Sequence, residues 1–235
     1  MAFMTRQDAL DIQNEMPWEA RERPQTIYQM LSQVAGRFPN RPAIRYQLFS
    51  GATDKAQTLT WQQFHDQCCQ AANLFRSLKL GEGDVVALVL PNCLETAAAT
   101  IGGMIAGIVN PINPLLEPEQ ISAILRETGA KVVVTLKAFP KTDIAQKTAE
   151  AVRHAPSVHT VIEIDLNRYL TPPKSWIVPL VRPKNPVQHH ADCMDFNKAI
   201  ARQPKALSFA DSKGDRVAAY FHTGGTTGMP KVAQH

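Results

Sequence analysis

The chain has 235 residues, 44% hydrophobic and 20% charged, with 12 Gly and 17 Pro, a balance that excludes collagen-like, coiled-coil and wholly disordered chains and leaves room for a sizeable core. Twenty-five Lys and Arg against 21 Asp and Glu give a net charge of +4, too little for a dedicated nucleic-acid binder and compatible with an anionic small ligand. Four Cys, two of them the adjacent Cys68 and Cys69, build neither a disulfide framework nor a zinc spacing, so a reducing, cytoplasmic setting is expected.

Residues 1–20 mix charged and polar positions without an apolar h-region, so no signal peptide is expected. Thr26-Ile-Tyr-Gln29 has the capping-box form, and Ile27, Leu31, Val34 and Phe38 follow at helical spacing up to Pro39. A second helix starts at Thr60, with Gln63 reaching back and an apolar stripe of Trp61, Phe64, Cys68, Ala71 or Ala72, Phe75 and Leu78 before Gly81. That spacing makes Cys68 core filling and leaves Cys69 an ordinary exposed thiol on the polar side. No base beside Cys69 marks it as a nucleophile.

From residue 84 short continuous apolar runs alternate with helices, the pattern of a parallel sheet covered on both faces. Val85–Leu90 is the first strand; Asn92 and Glu95 are placed to cap the helix after it, and Ile108-Val109 re-enters the sheet before the turn-rich 110–114 segment. The small-residue run Thr96–Val109 carries Gly103 and Gly107 but is 14 residues long, against roughly 20 for a membrane span. It therefore reads as a buried, closely packed helix. Pro118 opens a helix that Gly129 ends, Lys131–Thr135 is a strand, Thr142–Val152 a helix and Val158–Ile164 a strand. The resulting β-α-β-α-β-α-β order requires right-handed crossovers and predicts an α/β fold with open, mainly parallel sheets flanked by helices.

Between Asn167 and Pro204 the periodicity is lost and Pro residues bracket Lys174, Trp176, Arg182 and Lys184. A packed loop or short helix is the favoured reading; a membrane-surface or acyl-entry role for Trp176, Ile177, Leu180 and Val181 beside those cations is the alternative. His189-His190 with Asp192 and Cys193 lacks a second ligand cluster, so no metal site is assigned. Asp195–Ala201 is a further helical candidate. The organisation is thus a helical N-terminal region (1–82), a βα-repeat region (83–166), a Pro-rich basic excursion (167–205) and a strand with a loop (206–235).

That last region is the informative one. Arg216–His222 is a strand pattern that runs directly into Thr223-Gly-Gly-Thr-Thr-Gly-Met-Pro-Lys231. Gly224, Gly225 and Gly228 permit positive φ and close ligand approach, so consecutive N–H groups can converge on an anion. Thr223, Thr226 and Thr227 add hydroxyl donors and Lys231 a point charge suited to a polyphosphate. A Gly-rich surface hairpin would need neither the Thr residues nor the Pro-Lys exit. The run is not a Walker A loop, because Met229 and Pro230 separate the last Gly from Lys231.

Tyr220, Thr223–Gly228, Pro230 and Lys231 resemble the phosphate-loop signature of the adenylate-forming superfamily, which includes acyl-CoA synthetases, luciferases and peptide-synthetase adenylation domains. Upstream, Leu59–Phe64 is similar to the family's L-T-Y-x-E-L element, Gly83–Asn92 to its G-D-x-V-A strand, Gly129-Ala-Lys131 fits as well, and Ala106–Pro114 resembles the A-G-x-x-x-P-x-N-P segment common in acyl-CoA synthetases. Many members have Ser in place of Gly224 and Gly in place of Val232; neither change removes a backbone donor. The resemblance implies the large N-terminal domain of an enzyme that uses ATP, Mg²⁺ and coenzyme A to activate a small-molecule carboxylate as acyl-AMP and pass it to the thiol. It implies phosphate-binding roles for Thr223, Gly224, Gly225, Thr226, Thr227, Gly228 and Lys231, with Thr226 and Thr227 on the β and γ phosphates. No catalytic acid or base, nucleic-acid partner or transmembrane segment is assigned, and peripheral membrane contact stays open. The family's Y-G-x-T-E element, ribose Asp, hinge and C-terminal lysine have no counterpart here, so residues 1–235 are read as an incomplete N-terminal domain, inactive alone. An adenylation domain loading a carrier protein, and a non-catalytic interaction module, are the alternatives.

Overall fold

In the computed structural model, which describes residues 5–17, 20–21, 23–51, 54–183, 188–222 and 232–235, helix α1 (Arg6–Glu15) opens the chain behind a reciprocal Thr5–Asp8 capping box and buries none of its residues. Lacking an apolar stripe, it carries no sequence signal beyond its cap. In α2 (Ile27–Arg37) the Thr26 hydroxyl accepts from the Gln29 N–H as expected, but Gln29 reaches past Thr26 to the N–H of Gln25. A hairpin of β1 (Pro42–Tyr46) and β2 (Gln57–Thr60), absent from the sequence reading, leads into α3 (Trp61–Ser77), where the Thr60–Gln63 box forms in full.

The βα repeats follow: β3 (Val85–Val89), α4 (Leu94–Ala106), β4 (Ile108–Ile112), α5 (Pro118–Thr128), β5 (Val132–Leu136), α6 (Ile144–Arg153) and β6 (Thr160–Ile164). Their strands pair in parallel in the order β4-β3-β5-β6, extended by a fifth strand, β7 (Asp192–Asp195). Strands β3 and β5 are buried at every position, as continuous Val-rich runs require. Because the chain steps one way from β3 to β4 and the other way thereafter, right-handed crossovers set α4 against one face and α5 with α6 against the other. Packing agrees: α3 meets α4, α2 and α8 (Phe196–Ile200), while α5 meets α6. The chain is an α/β fold with a mainly parallel sheet flanked by helices.

Helix α4 lies very close to α3. A Cβ on Gly102 would sit 2.7 Å from the Ala71 Cβ and 2.9 Å from the Cys68 carbonyl oxygen, so the small-residue run is a helix–helix contact inside the core. Gly129 ends α5 at φ 63°, a left-handed conformation that glycine takes without strain.

Several sequence expectations are corrected. Cys69 is fully buried rather than exposed, because residues 203–208 lie over that side of α3: Asn73 Nδ2 donates to the carbonyls of Pro204 and Ala206, Gln70 donates to Gln203, and Ser208 donates back to Asn73. Burial, aided by Asp66, pushes its thiol up to about 12. Neither Asn92 nor Glu95 caps α4. The N-cap is Cys93, whose side chain makes no capping bond and instead meets the Thr96 hydroxyl, and the Leu94 N–H donates to the Tyr169 hydroxyl oxygen at 3.2 Å. Glu95 is instead 1% exposed, taking bonds from the Tyr169 hydroxyl and Asn197 Nδ2 and an ion pair from Arg168. Strand β4 continues through Asn110 and Pro111. The Val109 N–H donates outward to Ala218 O, so Pro111, two residues on, lacks its donor on that same outer side and leaves the β3 ladder intact. Finally, the 167–205 excursion holds a 3₁₀ turn (Leu166–Tyr169), α7 (Lys174–Val181), β7 and α8.

Candidate functional site

Residues Thr223, Gly224, Gly225, Thr226, Thr227, Gly228 and Lys231 lie outside the described residues; their two anchors do not. Strand β8 (Tyr220–His222) pairs antiparallel with β9 (Val232–Gln234), with His222 opposite Val232 as the last rung before the loop. Strand alternation turns Tyr220 and His222 inward and Phe221 outward, where it meets the His235 ring edge-on at 5.3 Å. The hairpin is fastened to the sheet by a parallel bridge between Val109 and Ala219. Strand β8 therefore runs alongside β4, and the 223–231 run departs at the carboxyl end of the sheet, the side on which open α/β sheets hold ligands.

Behind the hairpin, the Arg216 guanidinium donates to the carbonyls of Met104, Ile105, Gly107 and Val217 at 2.7–3.2 Å. It collects the unpaired carbonyls at the end of α4 and pins the approach to β8.

From the end of β8 a polar chain runs across β4 to the end of α5. The Thr128 hydroxyl donates to Ile124 O at 2.8 Å, which leaves its oxygen to accept from Asn110 Nδ2 at 3.3 Å. Asn110, 0% exposed, thereby turns Oδ1 toward His222 Nε2, 3.0 Å away. With Asn110 accepting, Nε2 must carry the imidazole proton, so Nδ1 is a buried lone-pair acceptor without a partner among the described residues. Burial pulls the His222 pKa below the usual range, with Glu127 opposing. The last rung of the hairpin thus carries a neutral imidazole whose tautomer is dictated by the end of α5. None of Asn110, Thr128, His222 or Arg216 was singled out from the sequence as a site residue. The signal that could have pointed to Asn110, an Asn-Pro pair directly after the apolar Ile108-Val109, reads in the sequence as the start of a turn.

The His189, His190, Asp192 and Cys193 cluster does not converge. His190 Nε2 lies 2.8 Å from Val158 O, Cys193 Sγ is 3.6 Å from His189 Nε2, and among the described residues no group of three or more metal-type ligands comes together.

Residues 31–235 match the family model of the AMP-binding enzymes; the chain belongs to that family. It is 32% identical over 213 residues to a marinolic acid–CoA ligase of Pseudoalteromonas sp. (strain SANK 73390), covering 90% of this chain and 29% of that protein. To a long-chain-fatty-acid–CoA ligase of Bacillus subtilis (strain 168) it is 31% identical over 233 residues, covering 93% and 38%. The chain thus spans about a third of the length of these relatives. In fold it resembles the anthranilate CoA ligase AuaEII in complex with anthranoyl-AMP (TM-score 0.64, 21% identity, 89% of this chain and 34% of that one). It also resembles the inhibitor-bound N-terminal domain of FACL13 from Mycobacterium tuberculosis (TM-score 0.58, 22% identity, 90% and 44%).

Proposed function

We propose that these residues form the nucleotide-phosphate end of an ATP-dependent acid–CoA ligase. The observation that carries the reading is the Thr223–Lys231 run, strung between β8 and β9 at the carboxyl end of the sheet. A substrate carboxylate oxygen attacks the α-phosphorus of ATP, the bond to the β-phosphate bridging oxygen breaks, and pyrophosphate leaves. The coenzyme A thiol then attacks the acyl carbonyl, AMP departs and the thiol proton passes to solvent. Negative charge grows on the pyrophosphate oxygens in the first step. Backbone N–H groups of the loop, the Thr226 and Thr227 hydroxyls and the Lys231 ammonium are the groups that neutralise it. Mg²⁺ enters as the magnesium complex of ATP, part of the substrate. The 235 residues alone do not form acyl-CoA in this reading, because the resemblance places the adenine, ribose and C-terminal lysine contacts in segments absent from this sequence.

Pyrophosphate release from ATP by the whole gene product tests it. Release that requires both a carboxylic acid and Mg²⁺, and that falls at least about tenfold in Lys231→Ala, as the loss of one charge-assisted contact worth about 1.5–3 kcal/mol predicts, is the expected result. Acid-independent release, or unchanged turnover in the variant, overturns the assignment.

A further inference from the structure

Helix α7 is amphipathic in reverse. Its hydrogen-bonding groups and one apolar side chain hold it to the body, and the rest of its apolar residues face outward. Pro179 has no N–H to offer the Ser175 carbonyl, and Asn167 Nδ2 supplies the missing donor at 3.1 Å. Arg182, just past the helix, holds Asp165 with bonds of 2.7 Å to both carboxylate oxygens and donates to Ala138 O at 2.9 Å. Val178 is buried. The helix is therefore fixed from beneath, while Trp176 (70% exposed), Ile177 (50%), Leu180 (76%) and Val181 (55%) stand in water. The spacings 176/180 and 177/181 put all four on one face.

Charge identifies what fits that face. From residue 167 to 191 the sequence has no Asp or Glu, but it has Arg168, Lys174, Arg182 and Lys184. Beside the helix, a cavity of about 290 Å³ is lined by Lys55, Arg168 and Lys174 against the single carboxylate Asp54, which lies 3.7 Å from Lys174 Nζ; Arg168 is paired with Glu95. Exposed Phe49 sits under the Lys174 ammonium at 5.2 Å and extends the apolar area toward the basic rim. The four outward side chains offer on the order of 500 Å², short of the roughly 800 Å² per partner of a standard protein interface. An indole, aliphatic neighbours and surrounding cations match instead the boundary between acyl chains and anionic headgroups. The geometry points to α7 as a docking element for an anionic lipid surface, with Trp176 and Leu180 entering the bilayer and Lys55 and Lys174 facing its headgroups.

Co-sedimentation of the 235-residue chain with phosphatidylglycerol-containing and pure phosphatidylcholine vesicles tests this. The chain is expected to pellet with the anionic vesicles, less with the zwitterionic ones, and at least about tenfold less after Leu180→Asp. Leu115→Asp, at a residue 78% exposed elsewhere on the surface, leaves binding unchanged. Trp176→Ser repeats the loss through a second position should Leu180→Asp disturb folding by circular dichroism. No pelleting, equal pelleting of parent and both α7 variants, equal loss in Leu115→Asp, or no preference for anionic lipid overturns the proposal. So does a dimer in sedimentation velocity that Leu180→Asp abolishes, since that makes a second copy the occupant. The readout is independent of ligase activity, so it stands or falls apart from the reading above.

Discussion

His222 occupies an unusual position for a titratable residue, half-buried at the end of β8, where that burial lowers its pKa against the opposing charge of Glu127. Its folded pKa is lowered, so the unfolded chain takes up the proton first. The stability this imidazole contributes is fully present above its unfolded pKa of about 6.5 and is lost as pH falls through the lower folded value. Urea unfolding of the parent chain and of His222→Phe should therefore diverge below that pH, the parent losing stability more steeply; parallel curves would contradict the burial argument. Asn110→Leu removes the acceptor from the Nε2 proton, and an expected loss of about 1–3 kcal/mol follows from a buried donor left unpaired. Cysteine chemistry sorts the same way. Of the four thiols only Cys193 is exposed, so a disulfide reagent at pH 8 should titrate one fast thiol, absent in Cys193→Ser, with Cys69 slow despite lying one residue from a core-facing position.

Among the elements, α3 and α4 pack closely enough that Gly102 has no room for a Cβ. Gly102→Val sets branched carbons against the Cys68 carbonyl and the Ala71 methyl, an overpacking expected to remove about 1–3 kcal/mol, read as a lowered thermal midpoint. A midpoint unchanged within error would mean that the helices separate freely. The same scale explains what the sequence discloses. Strands β3, β5 and β6 were legible because parallel strands covered on both faces must be nearly continuous runs of Val, Ile and Leu. Strand β7, Asp-Cys-Met-Asp, was not, because an edge strand that fully buries none of its residues needs no such run. Cys69 and Glu95 were misread for one reason. Helical periodicity describes a side chain's own helix, whereas the residues that bury them, 203–208 over Cys69 and Arg168, Tyr169 and Asn197 around Glu95, arrive from far along the chain. The loop motif was legible as a local pattern of Gly, Thr and Lys. Its foundation was not, since His222 and Asn110 stand 112 residues apart.

At the level of the whole molecule, the strand order places a topological switch between β3 and β5, where open sheets leave a crevice at their carboxyl ends. Glu95 stands in the first turn of the helix that leaves β3, buried with Tyr169, Asn197 and Arg168 around it. Arg168→Ala should leave a carboxylate buried without its cation and destabilise by about 3–5 kcal/mol, well beyond the effect of Glu95→Gln, which keeps hydrogen-bonding capacity without the charge. Chemical denaturation of the two variants side by side checks this; a larger loss in Glu95→Gln would assign the cluster's stability to the ion pair itself.

The return of β8 to β4 also sets an order of assembly. Strands β3 to β7 follow one another within residues 85–195, with no other strand of the sheet between them in sequence. A nascent chain can therefore complete that sheet as it emerges. The hairpin of β8 and β9 cannot form in step with it: Ala219 must find Val109 across a long, already folded interval, and the entropy of closing so large a loop is met only once the sheet edge exists. Closure of the hairpin is then a late event during synthesis, and a chain stalled before residue 219 would carry a finished sheet without it.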